Sequence, residues 1–267
     1  TNIPFAKEAA ELMMYPEKYI PDFESKDFNL WVRVVHLEHR YLNVNQLLAD
    51  LNIKNILELS SGFSFRGLDI VKQRDVHYID TDLPAVVEQK KQFVVALQGE
   101  LPTKGNLEIR PLNALNENEF LEVISRFGKG EIVIVNEGLL MYLNMEEKMR
   151  LCSTIHKVLK ERGGYWITAD IYIRFKQADQ NFKLNDKFQE FLDEHRTEEN
   201  KFESIESTEA FFKDQGFAID KEAVPEYTKL STLDYMIKSM SPELMAGAEK
   251  AKKIHTTWRL KVTENIS

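Results

Sequence analysis

Short apolar, β-branched runs alternate along this chain with longer amphipathic stretches, and this alternation limits the possible folds more than any other feature. The clearest run extends from Ile132 to Val135 and is β-branched throughout, which is typical of a strand buried on both faces. Similar runs predict strands at 55–59, 76–80, 107–112, 165–173, 217–224 and 257–262. Because strands that alternate with helices form parallel, doubly wound sheets, the sequence predicts an α/β fold of that type.

The stretches between these runs predict helices, and several have recognisable ends. They lie at 65–73, 84–98, 144–163, 207–215 and 241–253. Pro84 suits the first turn of its helix, and Asp82 can cap that helix. Asn144 and Glu147 have the spacing of a capping box.

Charge and composition narrow the range of partners. The chain has 35 Lys and Arg against 43 Asp and Glu, a net charge of −8, and no basic stripe, so a nucleic-acid partner is not expected. No apolar run approaches the roughly 18 residues of a membrane span. The single cysteine, Cys152, excludes an intramolecular disulfide and a Cys-rich metal site, and no histidine pair has metal-site spacing. With no signal-peptide pattern at the start, we expect a cytoplasmic location.

Doubly wound sheets bind ligands outside the carboxyl ends of their strands, so the residues after each strand carry the functional information. After the first strand, Ser60, Gly62 and Ser64 are small enough for a ligand to approach the backbone, although a tight turn without a ligand explains them equally well. After the second strand, Asp80 or Asp82 can accept hydrogen bonds from two ribose hydroxyls. The alternative for Asp82 is a helix cap alone.

Polar residues also follow the third and fourth strands. Asn113 can bind an adenine amino group, or it can belong to a turn. Glu137 comes directly after the fully apolar strand at 132–135, where a carboxylate is costly to bury unless it is paired. A role in a site is therefore favoured for Glu137.

Three ordered segments resemble the leucine carboxyl methyltransferase family. They are Gly62 with Arg66, the Asp-Leu-Pro sequence at 82–84 and the sequence EGLLMYL at 137–143. The family includes enzymes that methylate the C-terminal carboxylate of a protein phosphatase and many bacterial small-molecule O-methyltransferases. The resemblance implies a class I methyltransferase fold with a seven-stranded, mostly parallel sheet, and S-adenosylmethionine as the cofactor, released as S-adenosylhomocysteine.

The resemblance also implies roles for individual residues. Arg40 matches the arginine that clamps the cofactor carboxylate, for which a guanidinium is well suited. Asp82 matches the ribose-binding acid, and Asp80 is the second choice. The complete implied cofactor set is Arg40, Glu58, Ser60, Gly62, Asp80, Asp82, Asn113, Ala114 and Glu137. The family loop usually reads Gly-x-Gly-x-Asp-Thr-Arg, whereas residues 60–66 read SSGFSFR, so Ser60 adds a side chain where the family has none.

By this resemblance the chain is a single methyltransferase domain over 1–267. It divides into an N-terminal helical cover at 1–50, a cofactor-binding core at 51–173, a lid-like helical insertion at 174–206 and the C-terminal part of the sheet at 207–267. The expected function is methylation of a small-molecule hydroxyl or carboxylate. The alternatives are a protein carboxyl methyltransferase and a non-catalytic binding protein of the same fold.

A hydroxyl acceptor requires a nearby base, whereas a carboxylate does not. The candidates are Tyr142 and Asp170 at the mouth of the sheet, with His36 and His39 in the N-terminal region. No spacing singles out one of them. The remaining histidines, His255 among them, are interpreted as structural.

Overall fold

Seven strands form one sheet in a computed structural model of the chain, which describes residues 1–99, 102–174, 194, 196–248 and 253–263. The strands are β1 (Asn55–Leu59), β2 (His77–Asp82), β3 (Asn106–Pro111), β4 (Ile132–Asn136), β5 (Gly164–Tyr172), β6 (Phe217–Glu222) and β7 (His255–Val262). Their order is β3-β2-β1-β4-β5-β7-β6. Neighbours among β1 to β5 are parallel, and β7 is antiparallel to both β5 and β6. The predicted seven-stranded, mostly parallel sheet is confirmed.

Helices connect and cover these strands. They are α1 (Ala6–Met14), α2 (Phe28–Ala49), α3 (Arg66–Gln73), α4 (Pro84–Gln98), α5 (Glu117–Ser125), α6 (Met145–Arg162), α7 (Thr197–Asn200), α8 (Ile205–Asp214), α9 (Leu233–Ser239) and α10 (Pro242–Ala248), with a 3-10 turn at Leu140–Tyr142. The capping box of Asn144 and Glu147 is present at the start of α6. Helix α5 was not predicted, although the Asn116 side chain accepts hydrogen bonds from two backbone N–H groups at its start. Much of the predicted lid-like insertion, 175–193 and 195, lies outside the described residues.

The core lies on both faces of the sheet, which explains the uniform apolar character of β4. Ile132 and Ile134 pack in the cluster that includes residues of α5 and α6. Val133 and Val135 face the other way and pack with Val44 and other residues of α2. Because alternate residues of a strand point to opposite faces, a strand covered on both sides must be apolar at every position.

The topology places a crevice at β1. Strands β2 and β3 lie to one side of β1, and strands β4 and β5 lie to the other, so the strand order reverses there. In doubly wound sheets this switch point is where ligands bind, outside the carboxyl ends of the strands. The described residues contain no helix that is long and apolar enough to cross a membrane.

Candidate functional site

The turn after β1 is held beside the end of β2 by its own backbone. The N–H of Gly62 donates a 2.7 Å hydrogen bond to Oδ2 of Asp82, and the N–H of Leu83 donates one of 2.7 Å to Oδ1. Each carboxylate oxygen retains acceptor capacity, and Asp82 is only half-buried. Gly62 has a φ of +50°, and a Cβ built on it would meet nothing within 4 Å. The turn therefore presents open backbone and a carboxylate at the switch point.

Asp80, the second candidate for the ribose-binding acid, is enclosed. It is 2% exposed, and its Oδ2 lies 2.6 Å from Nζ of Lys90, itself fully buried on α4. The Ser61 hydroxyl also donates to Asp80, and Lys90 donates to that hydroxyl at 2.8 Å. Burial raises the pKa of Asp80 to about 6 despite the nearby Lys90. Of the two acids, Asp82 is the more exposed.

Glu137 joins two arginines from different helices. Its Oε1 accepts a 3.3 Å hydrogen bond from Nε of Arg40, and its Oε2 lies 2.6 Å from Nη2 of Arg66. Arg66 is fully buried and also pairs with Glu58, which accepts a 2.7 Å hydrogen bond from the Tyr78 hydroxyl. The two carboxylates balance the two guanidinium groups, which is the condition for burying such charges. Glu58 is 1% exposed, so it contacts Arg66 within the protein interior.

Arg40 lies at the carboxyl ends of β4 and β5. Its Nη1 donates a 2.9 Å hydrogen bond to the hydroxyl oxygen of Tyr172, and a Cβ on Gly138 would come within 3.1 Å of its Nη2. Burial alone would lower the pKa of Arg40, but Tyr172 and Glu137 outweigh that effect and raise it. The guanidinium is therefore charged, and it is held in place by Tyr172 at the end of β5 and by Glu137 directly after β4.

The two base candidates at the mouth of the sheet have different surroundings. Asp170 is 2% exposed and accepts hydrogen bonds of 2.6 to 3.0 Å from four donors, the N–H groups of Gly138, Leu139 and Leu140 and the side-chain amide of Asn136. This arrangement favours a structural role, holding the turn after β4, over proton abstraction. Tyr142 is 37% exposed, and burial of its other part raises its pKa, so its phenol stays protonated at neutral pH.

The residues after β3 form the turn that was one of the two alternatives for Asn113. Oδ1 of Asn113 accepts a 3.1 Å hydrogen bond from the N–H of Leu115, and Asn113 is exposed. Ala114 is buried beside it. A turn and an adenine contact can coexist here, because the Asn113 amide group offers further donors.

Several contributors to the site were missed from the sequence. Lys90 carried no predicted role, Tyr172 was considered only as a lining residue of the acceptor pocket, His255 was interpreted as structural, and Arg66 was quoted only as part of a motif. Tyr172 binds both Arg40 and His36, the latter at 2.9 Å. The one available signal was Arg66 within the family loop, since the contacts of the other three join residues far apart in the chain. Among the described residues, no cluster of three or more His, Cys, Asp or Glu could hold a metal ion.

Of the comparisons with known proteins, the one with solved structures identifies the fold. No family model matches the sequence, and no curated protein matches it either. The structure is similar to magnesium protoporphyrin IX methyltransferase (ChlM) from Synechocystis PCC 6803 with bound SAH, with a TM-score of 0.50 and 9% identity over 96% of this chain and 94% of that chain. It is also similar to the mitomycin 7-O-methyltransferase MmcR, with a TM-score of 0.50 and 11% identity over 87% of this chain and 60% of that chain. The chain has the class I methyltransferase fold.

Proposed function

We propose that this chain is an S-adenosylmethionine-dependent O-methyltransferase that acts on a small molecule. We also propose that it belongs with the small-molecule branch of the leucine carboxyl methyltransferase family. The observation that carries the proposal is the placement of Arg40 and Asp82 on either side of the turn after β1. A charged guanidinium and a half-buried carboxylate flank an open backbone turn at the ligand-binding crevice of this fold.

The residues present fit the chemical groups of S-adenosylmethionine. Arg40 suits its carboxylate, Asp82 suits its two ribose hydroxyls, and the open side of Gly62 allows close approach to the backbone. We assign Glu137 to its amino group, and Asn113 with Ala114 to its adenine. When bound, the cofactor supplies an electrophilic methyl group on a sulfonium.

Arg66 makes Arg40 available to such a ligand. Oε2 of Glu137 is held by Arg66 at 2.6 Å, whereas the contacts between Arg40 and Glu137 are 3.3 Å long. A ligand carboxylate can therefore share or replace Glu137 on Arg40 without leaving Glu137 unpaired. Pairing is essential here, because an isolated buried carboxylate is strongly disfavoured.

Isothermal titration with S-adenosylhomocysteine tests the proposal directly. We expect Arg40→Ala and Asp82→Ala each to weaken binding at least about tenfold, which corresponds to about 1.4 kcal/mol. Arg33→Ala, on the same helix and two turns from Arg40, is the matched control and should keep the affinity of the unmodified chain. If the folded chain binds no S-adenosylhomocysteine at millimolar concentration, the proposal is wrong.

Transfer of a labelled methyl group separates the remaining candidates. The chain is incubated with labelled S-adenosylmethionine and a cell extract, and the label is then sought in small molecules and in protein. Label in small molecules supports the proposal. Label in protein alone points to a protein carboxyl methyltransferase, and cofactor binding without any transfer points to a non-catalytic binding protein.

A further inference from the structure

Three histidines and a tyrosine lie together where β5 ends and β7 begins. We call them the histidine cluster: His36 and His39 on α2, Tyr172 on β5 and His255 on β7. The ring centre of His255 lies 4.6 Å from that of Tyr172, 5.0 Å from that of His36 and 6.3 Å from that of His39. The cluster adjoins the proposed cofactor site, because the Tyr172 hydroxyl accepts a hydrogen bond from Arg40.

Two of these histidines form hydrogen bonds with neighbouring side chains through Nε2. The Tyr172 hydroxyl accepts from Arg40 and also forms a 2.9 Å hydrogen bond with Nε2 of His36, in which the tautomer of His36 decides the donor. The side-chain amide of Asn43 lies 3.3 Å from Nε2 of His39 and donates to it. Nε2 of His36 and Nε2 of His39 are therefore each engaged by a neighbouring side chain.

His255 differs from both. Its Nε2 lies 2.6 Å from the backbone oxygen of Ala169, and a carbonyl oxygen can only accept, so Nε2 carries the proton. In the neutral ring Nδ1 then holds the lone pair, and no group in the described part of the chain donates to it. The carbonyl orients the ring and fixes its tautomer, as the orienting group of a catalytic base does.

We propose that His255 is the general base for methyl transfer and that the acceptor is a hydroxyl compound, not a carboxylate. This rests on the proposed function. As the acceptor oxygen bonds to the methyl carbon, the sulfur keeps the electron pair of its broken bond to carbon and becomes a neutral thioether. The hydroxyl proton passes to Nδ1 of His255, whose lone pair forms the new N–H bond.

The charges around His255 agree with this assignment. Burial lowers the pKa of His255 to about 4, and burial also lowers the pKa values of His36 and His39, so the imidazoles facing one another are neutral at pH 7. A weak base is sufficient, because the hydroxyl proton becomes strongly acidic as the bond to the methyl carbon forms.

Among the described residues, the charged groups near the cluster leave an anionic acceptor without a partner. They are Arg40, Asp170 and Lys201. Arg40 is paired with Glu137 and is assigned to the cofactor, Lys201 is paired with Glu198, and Asp170 repels anions. Against these described groups, a carboxylate acceptor would have to lose water without a compensating cation, which is costly. A hydroxyl acceptor carries no such cost.

The first experiment compares the unmodified chain with His255→Gln. Glutamine keeps an N–H for the Ala169 oxygen but provides no base, so S-adenosylhomocysteine affinity should stay within about twofold while transfer falls about 100-fold or more. His77→Gln, at the other side of the sheet, is the control. Unchanged methyl transfer by folded His255→Gln would overturn this proposal. If the unmodified chain itself does not bind the cofactor, the proposed function is overturned instead.

The product of the same reaction reports the acceptor class. Small molecules from a cell extract are methylated with labelled S-adenosylmethionine and then treated with mild alkali. Methyl esters release labelled methanol under these conditions, whereas methyl ethers retain the label. Retained label supports a hydroxyl acceptor. Released methanol overturns the hydroxyl-acceptor proposal but is consistent with the proposed methyltransferase function.

A spectroscopic measurement tests His255 without any acceptor. Long-range ¹H–¹⁵N spectra of the histidine-labelled chain distinguish the two neutral tautomers and the charged ring, and His255→Gln assigns the signal. We expect a neutral ring protonated at Nε2 at pH 7. A ring protonated at Nδ1, or a charged ring at this pH, would show that Nδ1 of His255 has no lone pair for the hydroxyl proton and would overturn the proposal.

Discussion

The carboxylate of Asp170 on β5 accepts a 2.6 Å hydrogen bond from the backbone N–H of Gly138, the residue that follows Glu137. The next two N–H groups of the same turn also donate to Asp170. A side chain on one strand thus holds the turn that leaves the neighbouring strand. The position of Glu137 between its two arginines depends on that turn.

We expect Asp170→Asn to destabilise the chain. An amide has one acceptor oxygen in place of two, so at least one buried N–H of the turn loses its partner, which costs about 1–3 kcal/mol in the free energy of unfolding. Urea titration should show a lower midpoint with an unchanged slope. Asp234→Asn, on the exposed side of α9, is the control and should leave the midpoint unaltered. An Asp170→Asn midpoint equal to that of the control would contradict this role.

At two positions of the turn after β1, we expect substitutions to change the free energy of unfolding in opposite directions. Ser60 and Gly62 both have left-handed backbone, with φ of +49° and +50°. Because this conformation costs a non-glycine residue about 1–2 kcal/mol, Ser60→Gly should raise the free energy of unfolding by about 1 kcal/mol and Gly62→Ala should lower it by about as much. Chemical denaturation measures both. Equal signs for the two variants would show that contacts, and not backbone conformation, decide stability at this turn.

Features that depend on residues close together in the chain could be predicted from the sequence. The uniform apolar character of β4 predicted a strand covered on both faces, and the capping box of Asn144 and Glu147 predicted the start of α6; both are confirmed. The resemblance correctly implied the class I methyltransferase fold. These signals are local because hydrophobic periodicity and helix caps act over a few residues.

Contacts between distant residues could not be predicted in this way. The hydrogen bond between Arg40 and Tyr172 joins residues 132 positions apart, and no single-sequence pattern specifies it. His255 was interpreted as structural because it lies in a charged stretch, and the strand after it was predicted to begin at 257. The strand begins two residues earlier, and its antiparallel pairing places His255 opposite Tyr172. That pairing, set by tertiary structure, creates the histidine cluster.

The buried ion pair between Lys90 and Asp80 leads to a third prediction. Lys90→Met leaves the Asp80 carboxylate buried without its cation, which should lower the free energy of unfolding by about 3–5 kcal/mol. The second substitution Asp80→Asn should restore part of that loss, because it removes the uncompensated charge. Lys91→Met, exposed on the same helix, is the control. If both methionine variants unfold at the same urea concentration, the pair does not stabilise the fold.

Stability should also depend on pH through the histidine cluster. Burial lowers the pKa of His36 to about 2 and that of His255 to about 4, from 6.5 in each case. Below pH 6.5 the unfolded chain binds protons that the folded chain excludes. The contribution of these neutral histidines to the free energy of unfolding is therefore complete above pH 6.5. It is lost as the pH falls toward 4, by about 1.4 kcal/mol per pH unit for each histidine.

The variant His36→Gln isolates one of these contributions. Between pH 6 and pH 5 its free energy of unfolding should fall less steeply than that of the unmodified chain, by about 1.4 kcal/mol per pH unit. The raised pKa of Asp80 acts in the opposite direction, since protonation of that carboxyl favours the folded state, but its contribution is common to both chains and cancels in the difference. Urea titrations at each pH supply the values, and between pH 7 and pH 8 the two slopes should agree. Parallel curves below pH 6 would mean that His36 accepts a proton in the folded chain as readily as in the unfolded one.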